Sequence, residues 1–182
     1  MIRPVYLFGQ GVLRETSAEV NPENKEEILA LVQDLRDTLA VADGCGLAAP
    51  QIGIPKRVLI VTGEGLDETY PYLKGWKRTI INPVVLEESS SRCTFSEGCL
   101  SIPGVYADVS RPSSIKVRYL DEDLKQVEEV FDKFACRMVQ HELDHLDGTM
   151  FVDRVAPIRK KIIAKKLSNI AKGKVSTAYK TK

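Results

Sequence analysis

Both histidines of the chain fall inside one pentapeptide, His141-Glu142-Leu143-Asp144-His145. A spacing of four is just over one helical turn, so on a helix both imidazoles project from one face, within reach of a single metal ion. Glu142 stands beside them, where a carboxylate can take a proton from metal-bound water, the arrangement of a metal hydrolase. The plainer reading is a pair of hydrogen-bonded core histidines, since a Glu-flanked His pair arises in many unrelated chains. The flanking residues favour the metal. Asp132 is placed to cap a helix over residues 133–146, and Asp147-Gly148 is a stop signal. Phe134, Met138, His141 and His145 then form one inward stripe.

A third ligand must come from another element, because no histidine remains. Cys99 is the best candidate: Gly98 in Glu97-Gly98-Cys99-Leu100-Ser101 allows close backbone approach, and a thiolate would balance part of the metal's charge. A second small-residue segment runs from Gly44 to Gly53 (GCGLAAPQIG). Its glycines and alanines suit close approach by an extended peptide, and Gln51 is a lone amide able to donate to an oxyanion. It fits neither a phosphate loop nor a dinucleotide fingerprint.

The elements that must position these residues follow from periodicity. Asn21-Pro22 is expected to open a helix that carries Ile28, Leu31, Val32, Leu35 and Leu39 and ends at Asp43-Gly44. Residues 57–62 and 79–86 read as strands around an excursion loop over 63–77, and residues 93–97 as a short extended piece. Residues 114–120 and 126–130 alternate and form a hairpin across 121–123. A last helix over 157–171 carries Ile158, Ile162, Ile163, Leu167 and Ile170 on one side. Strands bunched between helices predict an α+β fold of mostly antiparallel sheets around a central metal-binding helix, with an N-terminal and a C-terminal helix.

With 182 residues, 43% of them hydrophobic, the chain is expected to make one catalytic domain, its basic helix and tail (about 154–182) included. No apolar run suits a membrane span, and no secretion signal opens the chain, so a cytoplasmic location is expected. In that reducing setting Cys45, Cys93, Cys99 and Cys136, which lack Cys-x-x-Cys spacing, are not a disulfide framework; most read as core fillers. Charge is divided: residues 154–182 hold ten basic side chains and no acidic one, whereas residues 1–153 hold 16 basic against 25 acidic. Such an arm suits an anionic partner or, equally, a solvated helix docked on its own acidic body.

Three segments together, GCGLAAPQ (44–51), EGCLS (97–101) and QHELDH (140–145), resemble the motifs of the peptide deformylases in order and separation. Length and the basic final helix fit as well. The resemblance implies that Cys99, His141 and His145 bind one divalent metal, iron(II) with zinc or nickel as substitutes. Metal-bound hydroxide would attack the formyl carbon of formylmethionyl nascent chains, Glu142 would shuttle the proton, and formate would leave. Gln51 and the Leu100 N–H would hold the oxyanion, and Gly46 would pair with the substrate backbone. Asp144 and Arg111 would brace the metal helix, while Phe134 and Met138 are candidate walls for an unbranched apolar side chain. One departure stands at the substrate mouth, where many relatives carry arginine and this chain has Tyr106. The basic tail would meet the ribosome transiently; neither membrane nor DNA is expected as a partner. Two rivals are a zinc endopeptidase drawing a downstream acid such as Asp153, and a non-enzymatic zinc-stabilised module docking on RNA.

Overall fold

Val58-Leu59-Ile60-Val61 is an unbroken apolar run because its strand is covered on both faces. The structure is a computed structural model describing residues 1–182. Helix α1 (Lys25–Ala42) and strands β1 (Gly46–Ala48), β2 (Val58–Thr62), β3 (Lys77–Glu88), β4 (Arg92–Cys99) and β5 (Ile102–Pro112) come first. Strands β6 (Ser114–Leu120) and β7 (Gln126–Asp132) and helices α2 (Lys133–Leu146) and α3 (Pro157–Ala171) complete the chain. Val58 and Ile60 of β2 pack with Ile28, Val32 and Leu35 of α1, while Leu59 and Val61 pack with Val139 and Leu143 of α2. One sheet thus separates the two helices.

That sheet is antiparallel and runs β1-β2-β3-β6-β7, and a second, two-stranded sheet is made of β4 and β5. The expected β6–β7 hairpin is present, with Val117 paired to Glu129. Strand β5 was not anticipated. From Val105 to Arg111 it alternates inward Val105, Ala107, Val109 and Arg111 with outward residues. Its first apolar side chains pack with Leu7, Leu13, Phe151, Ile163 and Ile170, so a third core lies between β5, the N-terminal segment and α3.

Helix α2 spans the expected residues, but its first cap differs. Asp132 stays in β7, paired with Ser114, and its side chain caps nothing. The chain instead turns from strand to helix at Lys133, whose φ is +52°. Gly148, at φ +70°, ends the helix by adopting the left-handed region that a side chain disfavours. Helix α1 begins later than expected, because Asn21 Oδ1 accepts the Glu23 N–H and holds residues 21–24 in a turn. Residues 63–77 include a short 3₁₀ turn that buries Leu73. The α3 face also needs correction: Ile163 and Ile170 are buried, but Ile158 and Ile162 are 72% and 63% exposed. No helix is long and apolar enough to cross a membrane.

Candidate metal centre and active site

Helix α2 buries its histidines against the end of β4, so that the two segments meet at the floor of one cleft. Cys99 Sγ lies 3.3 Å from His145 Nε2, and the ligand atoms of Cys99, His141 and His145 all lie within 4.8 Å of one another. A thiolate and two imidazole nitrogens at that separation are a donor set that fits one divalent transition ion. The fit extends outward. His141 Nδ1 is 2.8 Å from Glu97 Oε1, which leaves Nε2 as the ring's available donor atom.

Glu97 is the centre of a buried charge network. Arg111 grips it with a two-pronged pair at 2.7 and 2.9 Å, and Arg137 Nη1 donates to it at 2.6 Å. Burial alone would raise its pKa, but the Arg111 and His141 hydrogen bonds override that and hold it well below the usual carboxylate range. Arg111 reaches on to Asp144 at 2.8 Å, and Arg154 closes on both Asp144 oxygens at 2.6 and 2.7 Å. Helix α2 is therefore tied from behind to β4, β5 and the segment before α3.

Glu142 is packed against the backbone of Gly46. A Cβ at Gly46 would lie 2.6 Å from Glu142 Oε1, so only glycine leaves room for the carboxylate. Glu142 Oε2 is buried with no hydrogen-bond partner. Burial, more than any neighbouring charge, pushes its pKa up to about 7, which suits a group that takes and returns a proton near neutrality. His145 is held well below the ordinary histidine value by burial and then by His141, which favours the neutral ring that metal ligation requires. Burial would lower His141 too, yet the neighbouring Cys99 sulfur and the Glu97 carboxylate raise it above the ordinary histidine value. Burial lifts the nearby Cys45 to about 11, leaving it a thiol.

Gln51 is buried and oriented at both ends. The Ala48 N–H donates to Oε1 at 2.9 Å, and Nε2 donates to Ser101 Oγ at 3.2 Å and faces Cys99 Sγ at 3.5 Å. Leu100 occupies the tight turn between paired Cys99 and Ile102, and its N–H has no protein acceptor. Above these groups opens a cavity of about 670 Å³, lined on one side by Gly46 and on another by Phe134 and Met138. Tyr106 stands at its rim, 64% exposed, with its ring over the bare backbone of Gly98.

The residues anticipated from the sequence are thus gathered in one place, including Asp144 and Arg111 behind the helix. Asp153 is not among them: its carboxylate is occupied by Arg14 and the Met150 N–H. Sequence reasoning missed Glu97, Arg137, Arg154 and Ser101 as supporting groups. Glu97 was findable, because a metal-bound histidine ordinarily needs a carboxylate or carbonyl on its other nitrogen.

Comparison with known proteins places this geometry. The sequence model of the family described as polypeptide deformylase matches residues 2–161. The peptide deformylase of Flavobacterium johnsoniae is 39% identical over 191 aligned positions, covering 100% of this chain and 96% of its own. The peptide deformylase of Fusobacterium nucleatum is 40% identical, covering 94% of each chain. Among solved structures, the Plasmodium falciparum enzyme superposes with a TM-score of 0.84 at 30% identity, covering 93% of this chain and 95% of its own. The Thermus thermophilus peptide deformylase gives 0.83 at 32% identity, covering 95% and 99%.

Proposed function

The chain belongs to the polypeptide deformylase family, and on that premise we propose how its residues divide the work. It is a metal-dependent hydrolase that removes the formyl group from the N-terminal methionine of new polypeptides and releases formate. The observation that carries the assignment of roles is the convergence of Cys99, His141 and His145 beside the buried Glu142 at the foot of the cleft. Those three residues hold the metal; iron(II) is our choice, with zinc or nickel able to substitute. When bound, the ion supplies Lewis acidity that brings the pKa of a water toward neutrality.

The protein's own groups do the rest. Glu142 takes a proton from the nucleophile and delivers it to the departing amine, which cannot leave as an anion. Gln51 Nε2 and the Leu100 N–H donate to the formyl oxygen as charge builds there. Gly46 offers its backbone to the extended substrate, while Phe134 and Met138 wall the slot for the methionine side chain. Asp144 and Arg111 keep α2 from shifting. Formate release from formyl-Met-Ala-Ser, with metal analysis of anaerobically prepared protein, tests this reading. Metal-loaded protein that releases no formate would refute it.

The partner of the basic tail is a further part of the proposal. Lys160, Lys161, Lys165 and Lys166 are exposed on α3 alongside Ile158 and Ile162. That combination suits transient contact with ribosomal RNA phosphate, in the cytoplasm where formylated chains emerge.

A further inference from the structure

The final nine residues do not trail from α3. Residues 174–182 fold back as a strap with Val175, Thr177 and Tyr179 turned inward and their neighbours exposed. The strap pairs with the N-terminal segment: Val5 N–H donates to Lys180 O at 2.9 Å, Leu7 N–H to Lys182 O at 3.0 Å, and Lys182 N–H returns to Val5 O at 2.9 Å. Val175 packs into the core beneath it, and Lys182 Nζ lies 5.4 Å from the Tyr6 ring centre.

The other edge of the N-terminal segment grips the two pieces that carry the oxyanion donors. Tyr6 N–H donates to Gln51 O at 2.8 Å, and Phe8 N–H to Ser101 O at 2.8 Å. One carbonyl of the Leu100-Ser101 turn is thereby held. The strap holds the other: the Tyr179 hydroxyl donates to Leu100 O at 2.6 Å. Tyr179 and Ala178 also line the catalytic cavity beside Tyr106. The Leu100 carbonyl lies in the peptide plane that follows Leu100 and its N–H in the plane that precedes it. With Cys99 paired to Ile102 at the turn's base, anchoring the carbonyl limits the Leu100 backbone torsions and so the rotation left to the N–H.

We propose that Tyr179 is a positioning residue, whose hydroxyl fixes the Leu100 carbonyl so that the Leu100 N–H is preset toward the formyl oxygen. The C-terminal strap is then part of the catalytic apparatus and not only a tail. The inference rests on the reading of Leu100 as an oxyanion donor. Burial lifts the Tyr179 hydroxyl to about 12, so it remains a donor throughout the working pH range.

The test is Tyr179→Phe in the full, zinc-loaded chain, which keeps the ring and removes only the hydroxyl. The expected result is a turnover number lowered roughly five- to tenfold, as loss of one positioning hydrogen bond should give, with KM for formyl-Met-Ala-Ser, metal content and melting temperature held. Amide order parameters at Leu100 and Ser101 should fall in the same variant. Unchanged turnover with rigid amides would overturn the inference while leaving the deformylase reading intact. A loss of turnover that tracks metal loss or melting would overturn it as well, as would a variant that fails to fold. Should the wild-type chain release no formate, the broader reading fails, and the order parameters alone decide whether Tyr179 fixes the turn.

Discussion

At the scale of single residues, the site is governed by how few atoms stand between Glu142 and the cleft. Glu142→Gln keeps the shape and removes the proposed proton relay. Turnover should fall by about 10²–10⁴ with metal content unchanged; a metal-loaded variant of near-normal turnover would show that another group moves the proton. Gly46→Ala is the complementary change, made on the neighbour and not on the acid. The new methyl would meet Glu142 Oε1 at 2.6 Å, inside any normal contact, so the carboxylate must swing away. Steady-state kinetics should record a drop of at least about tenfold in turnover, since misplacement by an ångström is enough for such losses. Wild-type kinetics in that variant would mean the carboxylate has room that the packing denies. Gln51→Ala belongs with these. Loss of one oxyanion donor costs about 3–4 kcal/mol in a comparable hydrolase, and it should be read in the turnover number, with KM less affected.

At the scale of elements, α2 is held by charges that come from three other places in the chain: Glu97 on β4, Arg111 on β5 and Arg154 before α3. Arg111 is 3% exposed and lies between Glu97 and Asp144, so Arg111→Ala would leave Glu97 with Arg137 and Asp144 with Arg154 as their remaining arginines. Leaving a buried charge wholly unpaired costs about 3–5 kcal/mol; the loss here should be smaller but visible as a lowered denaturation midpoint, and metal affinity should weaken too because Glu97 orients His141. A midpoint within error of wild type would mean water replaces the arginine. A milder pH effect comes from Asp34 on α1. Burial would raise its pKa, but the chain's amino terminus and Arg3 lower it. The unfolded chain therefore binds that proton more readily, so its contribution is present above about pH 4 and is lost as pH falls through the lowered value. Asp34→Asn should flatten the acid limb of melting temperature against pH; an unaltered limb would remove Asp34 from the account. These same elements show what was legible beforehand. The bounds of α2, the β6–β7 hairpin and the span of α3 were readable because periodicity and stop signals are local. Strand β5 escaped notice although Val105, Ala107, Val109 and Arg111 alternate, because Pro103-Gly104 and two small side chains mask the pattern. The roles of Glu97, Arg137 and Tyr179 depend on contacts across 14 to 79 positions of sequence, which no local window contains.

At the scale of the whole molecule, the feature with a consequence is the separation of charge. Residues 1–153 carry 16 basic and 25 acidic side chains, against ten and none in residues 154–182. Part of this is internal: Arg154 is committed to Asp144, and Arg159 donates to the Tyr106 carbonyl at the cleft rim. The four lysines at 160, 161, 165 and 166 have no such partners and remain exposed, and between them Ile158 and Ile162 show apolar surface that the body does not cover. Helix α3 is held to the body by Ile163 and Ile170 while its lysines and two isoleucines face outward. An acidic body repels RNA phosphate, so the molecule should approach such a surface with α3 leading. Reversal of all four lysines to glutamate leaves the buried face of α3 untouched. It should weaken binding to ribosomes and reduce the dependence of that binding on salt, because each lost phosphate contact removes a counterion-release increment. Turnover of a free formylated tripeptide should stay at the wild-type level, since none of the four lysines lines the cleft. Ribosome affinity indifferent both to these reversals and to added salt would leave α3 as a solvated helix, its charge serving only to offset the acidic body.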